Sequence, residues 1–177
     1  PMELVFEQAM TIERMPIDQR GQFEARLQES KVVLIRSLIS DSLRYINIAK
    51  QWFTIADLAE IRRRKIGAGR IGGKAAGMML AYRILKESSD VTLRTCLHIP
   101  ESYFVGSDEL YTFMSVNNLG HWNDQKYKNE ADMRADYPAI LAEFEAGAFS
   151  PDLLERFQAM LATVGRVPLI VRSSSLL

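Results

Sequence analysis

Residues 67–77 read GAGRIGGKAAG, five glycines and a single lysine, Lys74. Glycine is costly to order, so a run of it marks backbone doing something that side chains would block. With a cation in its midst, one candidate for that something is the cradling of a phosphate, and three patterns compete for that role. Gly67-x-Gly69-x-x-Gly72 has the spacing of a dinucleotide-binding turn, which needs a buried strand directly before it. The residues there, Glu60-Ile61-Arg62-Arg63-Arg64-Lys65-Ile66, read as the end of a helix. The GxxxxGK[ST] loop fails at two positions, Ala68 for its first glycine and Ala75 for its hydroxyl. The third pattern is Gly72-Gly73-Lys74-Ala75-Ala76-Gly77 opening a helix. Its first-turn N–H groups and dipole suit an anion, Gly72 and Gly73 allow close approach, and Lys74 adds a point charge. A tight turn on left-handed glycines, with Lys74 in solvent, accounts for the run equally well.

A second signal lies far along the chain. Pro168-Leu169-Ile170-Val171-Arg172-Ser173-Ser174-Ser175 reads as an apolar strand ending in an arginine and three hydroxyls. Groups at the carboxyl end of a strand face ligand crevices, and an arginine fork grips phosphate oxygens in pairs. An arginine paired with a carboxylate, beside serines that cap the next element, is the plainer alternative. The basic run Arg62–Lys65 reads as a helix terminus opposing the macrodipole, or else as an anion patch beside the glycines.

The elements that must position these residues follow from periodicity. Residues 1–66 read as helical: one helix from Pro16 to about Ser30, then a stripe through Ile35, Ile39, Leu43, Ile46 and Phe53. Thr54 with Asp57 forms a capping box for the helix that runs into the basic residues. Lys74–Glu87 is predicted helical with Met78, Tyr82 and Leu85 on its core face. Residues 92–99 and Tyr103–Val105 are predicted extended. A helix then carries Leu110, Phe113 and Met114 and stops at Asn117-Asn118-Leu119-Gly120, with a polar loop over 121–129. Helices follow at Ala131–Glu145 and from Ser150-Pro151 to Gly165, the latter burying Leu154, Phe157, Leu161 and Val164. The fold class is α/β (α+β) and helix-rich.

Bulk composition narrows the function. The 22 basic and 22 acidic residues cancel, which argues against a nucleic-acid or membrane-surface partner. No apolar stretch approaches the roughly 18 residues of a membrane span, and no secretory signal opens the chain. The lone cysteine, Cys96, suits a cytoplasmic protein. The Pro1-Met2 opening and the close just after a strand-like run read as cut ends, so a fragment of a longer protein is expected.

Taken in order, GGKAAG with its helix, His98-Ile99-Pro100-Glu101-Ser102-Tyr103-Phe104-Val105 with Leu110-Tyr111-Thr112-Phe113, and IVRSSS resemble the nucleotide-binding domain of the phosphoenolpyruvate synthase and pyruvate phosphate dikinase family. The family's glycine before the aromatic is Ser102 here. The resemblance covers roughly residues 66–177 and implies the first subdomain of an ATP-grasp-like domain over 67–177, behind a helical extension over 1–66. It implies an ATP-dependent phosphotransferase of kinase or dikinase type, passing a phosphoryl group through a histidine on another domain to pyruvate or another acceptor. Lys74 and Arg172 would then hold the ATP phosphates, helped by Gly72 and Gly73 and, more weakly, by Ser173 and Ser174. Magnesium ligands and the phosphorylated histidine are expected beyond Leu177, so this stretch alone is not expected to catalyse. His98 and His121 do not fill the histidine's place. The extension is open to three roles: packing, homodimer formation or regulation. The reading from a different class is a non-catalytic helical interaction or regulatory module.

Overall fold

A computed structural model of the chain describes residues 2–87 and 90–173, the side chain of Leu93 excepted. Two compact units emerge, one of Pro1–Ser107 with Ile170–Leu177, the other of Asp108–Leu169.

The first unit is built on helices. Helix α1 (Met2–Glu13), α2 (Ile17–Arg20), a 3₁₀ turn at Gly21–Phe23, and α3 (Glu24–Leu38) are followed by α4 (Leu43–Trp52) and α5 (Ile55–Arg63). Phe6, Ala9, Leu27, Leu34, Ile35, Ile46, Phe53, Leu58 and Ile61 fill one core. Ile71, Ala76, Leu80 and Phe104 join that same core. Residues on both sides of position 66 therefore share one apolar interior. The stripe from Val32 to Phe53 is not one helix. The chain leaves the helix at Ile39 and restarts at Leu43, and the Ser40 hydroxyl accepts a hydrogen bond from the Ser42 N–H at 3.1 Å. Short polar side chains compete for backbone donors in this way and break helices. Leu43 consequently points outward, 75% exposed. The helix predicted from Pro16 likewise begins as the short α2 and continues as α3 only after the 3₁₀ turn.

Start of α5 is the box the sequence shows. Thr54 accepts from the Asp57 N–H at 3.1 Å, and the Asp57 carboxylate accepts from the Thr54 N–H at 2.8 Å. The Glu13 carboxylate adds a third-party cap, accepting the Ile55 N–H at 2.9 and 3.0 Å while Lys31 lies 3.7 Å away.

Two residues form β1 (Lys65–Ile66), pairing in parallel with β2 (Phe104–Val105). A strand thus does precede Gly67, although only two residues long. Between the strands run α6 (Gly73–Lys86) and α7 (Val91–Cys96). Residues 92–99 were expected to be extended, yet most of them are helical. The Asp90 carboxylate accepts the Thr92 N–H at 2.8 Å, and the Thr95 hydroxyl bonds back to the Val91 carbonyl at 3.1 Å. Both are local bonds that a β-propensity argument omits. The core face of α6 is also turned from the predicted one: Ala76 and Leu80 are buried, while Leu85 is 40% exposed.

The second unit holds α8 (Asp108–Val116), a 3₁₀ stretch over Leu119–Tyr127 where a loop was predicted, α9 (Glu130–Ala146) and α10 (Pro151–Val164). Asn118 takes the left-handed conformation, φ 56°, after α8. Asn129 and Ser150 cap the next two helices, and Gly165 at φ 76° follows the last. Phe113 packs tilted against Phe144 and Phe149, centroids 5.9 and 5.3 Å apart, and Phe149 meets Phe157 edge to face at 5.8 Å. Leu153 rather than Leu154 is buried on α10; Leu154 and Leu161 are nearly half exposed. The Trp122 indole donates to Glu143 at 2.8 Å, and His121 lies 3.2 Å from the same carboxylate.

The strand predicted at 167–172 is absent. These residues are irregular, with Ile170 and Val171 89% and 95% exposed. A strand exists only by pairing, and no described strand neighbours this one. Among the described residues no helix is long and apolar enough to cross a membrane.

Candidate functional site at the start of helix α6

The glycine loop is held from beneath by its own lysine. Lys65 donates to the carbonyls of Gly67 and Gly69 at 2.8 and 2.7 Å, and Gly67 takes φ 89°, a conformation that favours glycine. The strand pairing continues into the loop: the Gly106 N–H donates to the Ile66 carbonyl at 2.7 Å and the Ser107 N–H to the Arg70 carbonyl at 3.0 Å. Ile71 then plugs the core, 1% exposed, and its N–H donates to the Leu38 carbonyl at 3.0 Å. Fixed at both ends, the loop delivers Gly72 as the N-cap residue of α6, in extended conformation at φ −78° and ψ 164°.

From there the helix closes. The Ala76 N–H donates to the Gly72 carbonyl at 3.0 Å. In any α-helix the N–H groups before that point lack an acceptor within the helix itself. Here they belong to Gly73, Lys74 and Ala75, at the positive end of a 14-residue macrodipole. Lys74 stands exposed in this first turn. Such a terminus fits the phosphates of a nucleotide: slim residues, aligned donors and a cation.

Helices preceding the loop orient α6. The Tyr45 hydroxyl donates to the Ala76 carbonyl at 3.0 Å in a buried setting, and burial pushes its phenol above the usual 10.0, so it stays a donor. Arg83 donates to the Trp52 carbonyl at 3.1 Å, with Asp57 and Glu87 carboxylates 3.2 and 3.1 Å away. Neither Tyr45 nor Arg83 stood out in the sequence, and neither did Lys65, whose neighbours in the basic run drew it into one reading with them. That run does not form an anion patch. Arg62 pairs with Glu3 and lies over the Phe6 ring, Arg63 pairs with Glu60 at 2.6 Å, and Arg64 pairs with Glu60 and with Glu101. The Arg63 guanidinium, then that of Arg64, hold the Glu60 carboxyl down at about 2.

Arg172 and Ser173 are exposed on the irregular stretch after Val171, so the strand end expected to present them is missing. Ser174 lies outside the described residues. His98 is exposed on an irregular stretch as well. Among the described residues no three His, Cys, Asp or Glu side chains converge.

Residues 68–177 match the family model described as the pyruvate phosphate dikinase AMP/ATP-binding domain. The chain belongs to that family. No curated protein and no solved structure matches it. The family match opens at Ala68, inside the glycine loop that leads into α6. The helices before it, through Leu38, Tyr45 and Trp52, hold the loop and the helix in place.

Proposed function

We propose that the chain supplies the phosphate-binding part of an ATP-dependent phosphotransferase, with residues 67–177 as the first subdomain of an ATP-grasp-like domain and residues 1–66 as its helical extension. In this reading Gly72 and Gly73 let the nucleotide phosphates approach the start of α6, and Lys74 neutralises their charge. Arg172 closes on them from the opposite side, with Ser173 and Ser174 adding hydroxyls. The roles are electrostatic: neither Lys74 nor Arg172 forms a bond to phosphorus, and both stabilise charge on the transferring group. Magnesium, when bound, would add charge neutralisation at the phosphates; its ligands, the phosphorylated histidine and the site for pyruvate or another acceptor would come from other segments.

The observation that carries this reading is Gly72-Gly73-Lys74 standing at the start of α6 in a chain of the AMP/ATP-binding family. A ligand that binds only the folded state raises its stability. ATP titrated into the chain should therefore raise the melting temperature saturably, and Lys74→Ala should abolish the rise. A chain indifferent to ATP would favour the non-catalytic helical module instead. In the enzyme that contains this chain, wild-type turnover by both Lys74→Ala and Arg172→Ala would sink the assignment of those two residues.

A further inference from the structure

Separate from the start of α6, a cleft of about 650 Å³ opens between α3 and the glycine loop. Its walls include Val33, Arg36 and Ser37 on α3, Gly69 and Arg70 on the loop, and Ser107 after β2. Lys74 is not among them. The cleft is open to solvent over much of its extent, so an occupant would be held by its charged head rather than enclosed. We propose that this cleft binds a small molecule through a phosphate-type oxyanion head, gripped by Arg36 and Arg70.

Charge is the first argument. The Arg36 side chain is exposed and makes no ion pair or hydrogen bond among the described residues. Arg70 has a carboxylate partner, Asp41 at 2.7 Å, but the pair is part-exposed, at 34% and 49%. An exposed pair of this kind contributes little and exchanges readily for a better acceptor. Two guanidinium groups against one carboxylate leave the cleft a net positive charge, and guanidinium forks match phosphate oxygens in geometry as well as sign.

Backbone direction is the second. Lys65 draws the carbonyls of Gly67 and Gly69 toward itself. Every peptide bond described is trans, so the Arg70 N–H points opposite to the Gly69 carbonyl. It faces away from Lys65, which takes no part in the cleft. The loop thus turns its acceptors inward to an ammonium group and leaves a donor on the other side. Ser107 supplies a hydroxyl, Ser37 one that already donates weakly to the Met2 sulfur at 4.0 Å and can still accept, and Val33 offers a patch of apolar wall for a carbon skeleton.

Calorimetric titration of glycerol phosphate into the full chain, at fixed ionic strength and in a Lys74→Ala background, tests the site without help from α6. Saturable binding is expected, with Arg36→Ala and Arg70→Ala each weakening it by about tenfold, the scale of a lost hydrogen bond to a charged group. Glycerol itself should not bind. Inorganic phosphate binding more weakly than glycerol phosphate would assign the occupant to phosphomonoesters; tighter binding would assign it to free phosphate. No saturable binding of either anion, or binding undisturbed by both arginine substitutions, overturns the proposal. Both arginines are surface residues, so circular dichroism of the variants should be unchanged.

Discussion

The Tyr45 hydroxyl reaches across from α4 to the carbonyl of Ala76, 3.0 Å away, in the second turn of α6. Residue 76 lies two positions past Lys74, so the bond fixes how the lysine-bearing turn is rotated about the helix axis. Tyr45→Phe keeps the ring and removes the donor. The Ala76 carbonyl retains its place in the helix ladder, so the expected cost is that of one net hydrogen bond, about 1 kcal/mol by urea denaturation. ATP-induced stabilisation should fall as well, since the first turn loses its rotational stop. An unchanged urea midpoint would remove Tyr45 from this role.

Acid sensitivity of the first unit should trace to Glu60. Its carboxyl sits at about 2 in the folded chain against an ordinary 4.5, held down by Arg63 and Arg64. A folded value below the unfolded one means the stabilisation is fully present above pH 4.5 and is lost as pH falls toward 2. Between those limits the wild-type urea midpoint should decline with pH more steeply than that of Glu60→Gln. Identical slopes would show that the ion pairs do not survive in solution. The group is largely solvated, so the effect is a change of slope and a small one.

Glu13 joins three elements at once. Its carboxylate caps the Ile55 N–H at the start of α5 and lies 3.7 Å from Lys31 on α3, itself only 8% exposed. Removing one partner leaves a nearly buried ammonium uncompensated, which is worse than never having the pair. Glu13→Ala should therefore cost about 3 kcal/mol, whereas Thr54→Ala, a cap alone, should cost about 1 kcal/mol. Glu13→Ala combined with Lys31→Met should recover part of the loss. Equal destabilisation by Glu13→Ala and Thr54→Ala would mean that the charge on Lys31 plays no part.

What could be read from the sequence was local. Thr54 with Asp57, Ser150 with Pro151, and the glycine at 165 act on groups within a few residues, and the structure has each where the chain spells it. The opening of α6 at Gly73 is local in the same sense. The buried face of α6 was not legible. Residues 76 and 80 and residues 78, 82 and 85 both repeat at helical spacing, and the choice is made by the core of the preceding helices, which takes in Ala76 and Leu80. Nor was the irregular state of 167–172 legible: valine, leucine and isoleucine favour strands, but only a paired neighbour makes one. Arg172 was placed on that strand's end, so its position was lost with the strand. Lys65 went unnoticed because its partners are backbone carbonyls of the glycines just beyond it, which leave no mark in residue type.

Gly77 offers the sharpest test of what the start of α6 is for. It lies within the helix, with no positive φ, and a Cβ added there would meet no heavy atom within 4 Å. Neither backbone strain nor packing inside the protein accounts for a glycine at this position. Glycine in a helix interior costs about 0.5–1 kcal/mol relative to alanine, so Gly77→Ala should raise stability by that amount. In the proposed reading, the missing side chain leaves room for the nucleotide. Gly73 and Gly77 are four apart and share one helix face, the face along which a nucleotide would enter. Gly77→Ala should therefore be more stable by urea denaturation yet show a smaller ATP-induced rise in melting temperature. A variant that gains stability and keeps the full ATP response would show that the nucleotide does not use this face, and the open space above Gly77 would then have no part in binding.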